Sequence, residues 1–115
     1  MSETVKFRNI DFAENVIEQG GNRVKKKFKE SKENYPLITI ITTVLNGEKY
    51  LEESIQSLHN QNYTNIEHII IDAGSKDNSL DIIKKYNDKI DYWCQKEDRG
   101  IYDGFNLGMK LARGD

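Results

Sequence analysis

This sequence predicts a three-layer α/β fold built on a mostly parallel sheet, and three observations carry the prediction. Apolar, largely β-branched runs recur at Leu37–Val44, Ile66–Ile71 and Ile90–Cys94. Between and after them lie segments whose apolar residues repeat at three and four, the spacing of one buried helix face. The order is therefore strand, helix, strand, helix, strand, helix, with no internal repeat. Parallel strands joined by right-handed crossovers are the expected outcome.

Composition narrows the class. At 115 residues the chain is one domain or part of one, and a formal net charge of −2 argues against nucleic acid as a partner. Cys94 is the only cysteine, so no intrachain disulfide forms and a reducing compartment is expected. No apolar run approaches the roughly 20 residues that span a bilayer, and no signal-peptide core opens the chain. A cytoplasmic protein is expected, at most peripheral at the inner face of the membrane.

Residues 1–34 read as a polar N-terminal extension. Apolar positions are scattered (Ile10, Phe12, Val16, Ile17), Gly20, Gly21 and Asn22 interrupt them, and basic residues from Arg23 to Lys32 follow. Val24 and Phe28 lie four apart, which allows a short helix with a basic face. A solvated helical extension is preferred to weak membrane-surface contact through residues 23–32, because one thin apolar stripe binds bilayers poorly. Pro36, the only proline, marks where the domain of residues 35–115 begins.

The first strand, Leu37–Val44, ends in the turn chemistry of Asn46 and Gly47. Leu51, Ile55 and Leu58 then give an amphipathic helix over Glu48–His59. The second strand, Ile66–Ile71, stops at Asp72. Ala73 and Gly74 follow, then Ser75, Asp77 and Asn78, whose oxygens can cap a helix over Ser79–Tyr86 that buries Leu80 and Ile83. After the short third strand, a polar loop over residues 95–100 opens a third helix with Ile101, Phe105, Met109 and Ala112 on one face and Gly114 as its stop. A fourth strand is expected next, but Asp115 is the last residue, so the fold is expected to be truncated.

Three loops should gather at the carboxyl edge of such a sheet, where open α/β sheets bind ligands. Asp72 can accept hydrogen bonds from a base N–H or a ribose hydroxyl, with Thr43 and Asn46 flanking the same ring. Arg99 offers a planar fork to a phosphate. The small residues Ala73 and Gly74 let a flat ligand approach the backbone. Ser75 and Asp77 read first as helix caps. Arg99 and Asp103 divide evenly between ion-pair and ligand roles. His59 and His68 lack metal-like spacing, and Trp93 and Cys94 read as core. Neither G-x-x-x-x-G-K-[ST] nor G-x-G-x-x-G occurs, which disfavours P-loop and dinucleotide readings.

Several motifs in order then resemble the family 2 glycosyltransferases of GT-A fold, in their bacterial polysaccharide-synthesis branch. These are Leu37–Asn46, the Tyr50-Leu-Glu-Glu-Ser-Ile-Gln-Ser-Leu helix with Gln61, and Ile69-Ile-Ile-Asp-Ala-Gly-Ser-Lys-Asp-Asn-Ser. Ile90-Asp-Tyr-Trp, Glu97-Asp-Arg-Gly-Ile-Tyr-Asp-Gly-Phe-Asn-Leu-Gly and Ala112-Arg-Gly-Asp complete them. The resemblance runs from about Leu37 to Asp115. It implies that Thr43 and Asp72 line the uracil of a UDP-sugar; Asn46, Gly74, Ser75 and Asp103 join the nucleotide-binding candidates on the reading of the loops above. It implies too that Asp98, Arg99 and Gly100 close over the nucleotide and that Asn106 turns toward ribose and phosphates. Ala73 stands where the family has Gly or Asp, and Gly104-Phe105 where Ala-Met is common.

The same resemblance implies a Mg or Mn ion held by an Asp-x-Asp and a downstream carboxylate base, acting on a polysaccharide or lipid-linked glycan acceptor. No Asp-x-Asp occurs in this sequence. A diphosphate leaving group needs a cation to offset its charge, so the chain is expected to be the nucleotide-binding half of a transferase, inactive alone and with no catalytic residue of its own. The alternative is a non-catalytic α/β binding module, either a truncated fragment or a flavodoxin- or receiver-like domain. A receiver's acidic pair is missing after the first strand, which ends in Thr43 and Asn46.

Overall fold

The computed structural model of the protein describes residues 10, 12–13, 16–96 and 101–114, the side chains of 101–105 excepted. Four strands form one sheet: β1 (Glu18–Gly20), β2 (Ile38–Val44), β3 (Ile66–Asp72) and β4 (Tyr92–Gln95). Helices α1 (Glu48–His59), α2 (Ser79–Lys85) and α3 (Ile101–Leu111) follow β2, β3 and β4. The spatial order is β1-β4-β3-β2. β2, β3 and β4 run parallel, and β1 pairs antiparallel with β4. Helix α1 has the bounds its periodicity predicts, while β4 begins at Tyr92, two residues later than expected.

The register sorts the side chains onto two faces. Ile40 lies beside His68, Thr42 beside Ile70 and Val44 beside Asp72, while Thr39, Ile41 and Thr43 lie beside Glu67, Ile69 and Ile71. Successive residues of a strand point to opposite faces. Val44, Ile70 and Trp93 pack with Leu51, Ile55 and Ile83 under α1 and α2. Ile69, Ile71, Tyr92 and Cys94 pack with Leu111 of α3 and with Ala13. Burying each of these large aliphatic side chains contributes about 1.5–3 kcal/mol. The result is three layers, α/β/α.

The N-terminal segment differs from the expected solvated helix. Glu18–Gly20 adds the edge strand β1, and Asn22–Lys25 is a 3-10 turn ending at Lys26 with φ 62°. Tertiary bonds override the helical spacing. The Asn22 and Arg23 N–H groups bind the Ile90 and Asp91 carbonyls at 2.9 and 2.7 Å. Arg23, 1% exposed, meets the equally buried Glu67 at 2.7 Å. Ala13 N–H donates to the Tyr92 hydroxyl, which donates to Gln19 Oε1. Of the basic run, then, Arg23 is internal and Lys29 binds Asp91.

Candidate functional site

Parallel strands β2 and β3 end side by side, so the loops that follow them emerge at the same edge. Asp72 closes β3 and is 0% exposed. Its Oδ1 accepts the N–H groups of Gly74 at 2.8 Å and Ser75 at 2.7 Å, folding the chain into a tight turn. Gly74 sits there at φ 98°, a left-handed conformation that glycine adopts without a Cβ penalty. Oδ2 is buried and has no hydrogen-bond partner. A buried, unmatched carboxylate oxygen costs stability and is uncommon, which makes it the most informative atom at this edge.

The other polar residues of the loop are used internally. Ser75 Oγ accepts Asn46 N–H, Ser79 Oγ accepts Gly47 N–H and Asp77 Oδ2 accepts Glu48 N–H, at 2.8, 2.9 and 3.1 Å. In return Asn46, at φ 54°, accepts Lys76 N–H on its Oδ1. The alternate residues 75, 77 and 79 thus serve three consecutive N–H groups at the start of α1. The expected capping of α2 falls to Asp77 alone, whose Oδ1 accepts the N–H of Ser79, the first residue of the helix, at 2.9 Å; Asn78 makes no side-chain cap bond and Ser75 Oγ is taken by Asn46. Desolvation pushes the Asp77 carboxyl up, but the bonds from Ser79 and Glu48 outweigh it and hold the carboxyl below its usual range.

The expected site residues therefore divide. Asn46, Asp72, Gly74 and Ser75 come together in one knitted pair of loops. Thr43 does not join them through its side chain. It shares the α3 face with Ile71, whereas Asp72 shares the opposite face with Val44. Asn106 is exposed on α3. Asp98, Arg99 and Gly100, and the side chain of Asp103, lie outside the described residues.

Sequence reasoning missed the reach of residues 75–79 to α1, for which the alternate spacing of Ser75, Asp77 and Ser79 was the available signal. It also missed the buried hub at Glu67, whose carboxylate accepts from Arg23, Thr39 and the Arg113 N–H. A Glu inside an apolar strand was the clue, since such a charge needs a buried partner. His68, 2% exposed, bonds Thr42 through Nε2 and leaves Nδ1 unpartnered, with burial as the main cause that lowers its pKa to about 4. Concave surface also occurs away from these loops, in a groove of ≈ 420 Å³ between β2 and α1 lined by Thr42, Ser57 and His68. Among the described residues no cluster of three His, Cys, Asp or Glu side chains is placed to hold a metal ion. No Asp-x-Asp occurs between residues 1 and 115.

The family model for glycosyl transferase family 2 matches residues 39–115. An uncharacterized glycosyltransferase of Rickettsia typhi is 42% identical over 80 residues, covering 70% of this chain and 25% of the relative. One from Haemophilus influenzae is 42% identical over 85 residues, covering 71% and 34%. The chain thus spans about a quarter to a third of the length of these relatives. A mannosyltransferase from Pyrobaculum calidifontis, solved with GDP-Man and Mn2+, superposes with a TM-score of 0.65 at 20% identity, over 81% of this chain and 30% of that one.

Proposed function

The chain belongs to glycosyl transferase family 2 and has the GT-A form of the α/β fold, and on that premise we propose that it carries the nucleotide-binding part of a sugar transferase. The donor is a nucleoside-diphosphate sugar, and the acceptor a growing polysaccharide or a lipid-linked glycan at the cytoplasmic side of a membrane. One observation carries the reading: the buried Oδ2 of Asp72, an acceptor at the carboxyl edge that no donor among the described residues satisfies.

A carboxylate there selects bases that present an N–H. Because Oδ1 already takes two backbone N–H groups, one oxygen is free. Uracil, with a lone N3–H between two carbonyls, matches one free acceptor better than the paired donors of guanine, so UDP is the proposed nucleotide. Entry of the base replaces whatever covers Oδ2, and the low dielectric there strengthens the new bond. Arg99 would pair with the diphosphate and Asn106 with ribose. The mannosyltransferase of like fold, with its GDP-Man and Mn2+, supports a nucleotide-sugar donor and a divalent cation for a complete enzyme. Among the described residues no ligand set for that cation occurs, so nucleotide binding rather than turnover is the activity proposed for them.

Titrating UDP, GDP and ADP into the 15N-labelled chain tests the reading. UDP is expected to move the amide signals of residues 45–48 and 72–77 at concentrations where ADP does not. Absence of any shift with millimolar UDP would remove the nucleotide function from this chain.

A further inference from the structure

The basic turn at the opposite edge of the sheet has no part in that site. Its backbone is fixed: Asn22 and Arg23 bond to the Ile90 and Asp91 carbonyls, and the Arg23 side chain is buried on Glu67. Lys26 and Lys27 N–H groups close the turn on the Arg23 and Asn22 carbonyls. What it presents outward is Val24, 44% exposed, and the exposed side chains of Lys25, Lys26 and Lys27. The neighbouring 3-10 turn (Asn87–Lys89) adds exposed Lys89, and Asp88, which accepts from Lys25 at 2.8 Å. The two turns thus expose Lys25, Lys26, Lys27 and Lys89 beside Val24, with Asp88 paired to Lys25.

We propose that this turn is a docking surface for an anionic lipid bilayer. Charge complementarity selects the partner: lysines beside an anionic leaflet gain attraction over about a Debye length. The apolar tip distinguishes a bilayer from nucleic acid, because Val24 among lysines suits the boundary between headgroups and acyl chains. Because the turn is held by buried bonds, docking orders no new backbone. One small apolar residue gives weak, reversible attachment, consistent with a helix inventory in which no described helix is long and apolar enough to span a membrane. The parallel strands start at this edge and end at the Asp72 edge, so the docking surface and the nucleotide loops do not overlap.

Co-sedimentation of the 115-residue chain with phosphatidylcholine vesicles, with and without phosphatidylglycerol, tests the surface independently of any nucleotide. Binding is expected only with the anionic lipid, at low salt, and to fade as salt rises. The Lys25→Gln/Lys26→Gln/Lys27→Gln variant is expected to lower partitioning on the order of a hundredfold, taking each lysine as roughly fivefold. Asp88→Asn, which removes the carboxylate paired with Lys25, is expected to raise it severalfold, a gain that misfolding does not produce. Equal binding to neutral and anionic vesicles, no binding to either, or duplex RNA bound as tightly as anionic vesicles at the same salt would overturn the proposal.

Discussion

His68 shows what a single buried side chain does to the pH response. Burial, then the positive fields of His59 and Lys29, lower its pKa from 6.5 to about 4, so it stays neutral in the fold at pH 7. The unfolded chain takes up the proton below about pH 6.5, the folded chain only near 4. Its contribution to stability is therefore complete above 6.5 and is lost as pH falls through that window, by roughly 3 kcal/mol at about 1.4 kcal/mol per unit. Urea midpoints at pH 7, 5.5 and 4.5 for the wild type and His68→Gln should converge as pH drops; parallel curves would contradict this. The sequence shows a His inside an apolar strand and no metal partner for it. That Nδ1 stays unpaired depends on how α1 and β2 enclose it, which no local pattern encodes. Asp72 was legible as a candidate for the opposite reason: a carboxylate that ends a buried parallel strand stands out in the sequence itself.

At the scale of elements, the loop between β3 and α2 does its work on α1. Ser79 is fully buried and its Oγ receives Gly47 N–H. Ser79→Ala should cost about 1–3 kcal/mol by leaving that donor unsatisfied, read as a lower urea midpoint with an unchanged slope. α3 depends instead on close approach. A Cβ on Gly108 would lie 2.4 Å from Ile41 Cγ2, so Gly108→Ala should destabilise by about 1–3 kcal/mol in the same assay, by pushing α3 off β2. Strand and helix positions were legible because β-branched runs and the three-four repeat each specify local structure. The cross-capping was not, because three side chains spaced by two read equally well as caps of their own helix. The face of Thr43 was hidden for a related reason: its nearness in sequence to Asn46 concealed that the register turns it to the other face from Asp72.

The molecule as a whole is held across its sheet by a segment that looked dispensable. Residues 18–29 contribute β1 and Arg23, which pairs with Glu67 at 2.7 Å with both side chains 1% exposed. Arg23→Ala leaves a buried charge without its cation and should cost about 3–5 kcal/mol, whereas Arg23→Met/Glu67→Gln, which removes both charges but keeps an acceptor for Thr39 and the Arg113 N–H, should recover part of that loss. Thermal unfolding of the two variants separates the pair's charge from its packing. Composition hid this role, since the segment is polar and its contribution comes from backbone pairing and one internal cation. Nucleotide recognition rests at the far edge, on one free oxygen. Calorimetric titration of UDP into the wild-type chain and into Asp72→Asn tests that role most directly. The amide keeps an Oδ1 acceptor for Gly74 and Ser75 N–H but puts a donor where Oδ2 was. Affinity should fall about 10- to 100-fold while the melting temperature holds, the range expected for a hydrogen bond to a charged group. Equal affinity for both proteins would contradict the assignment of Asp72 as the base-binding group.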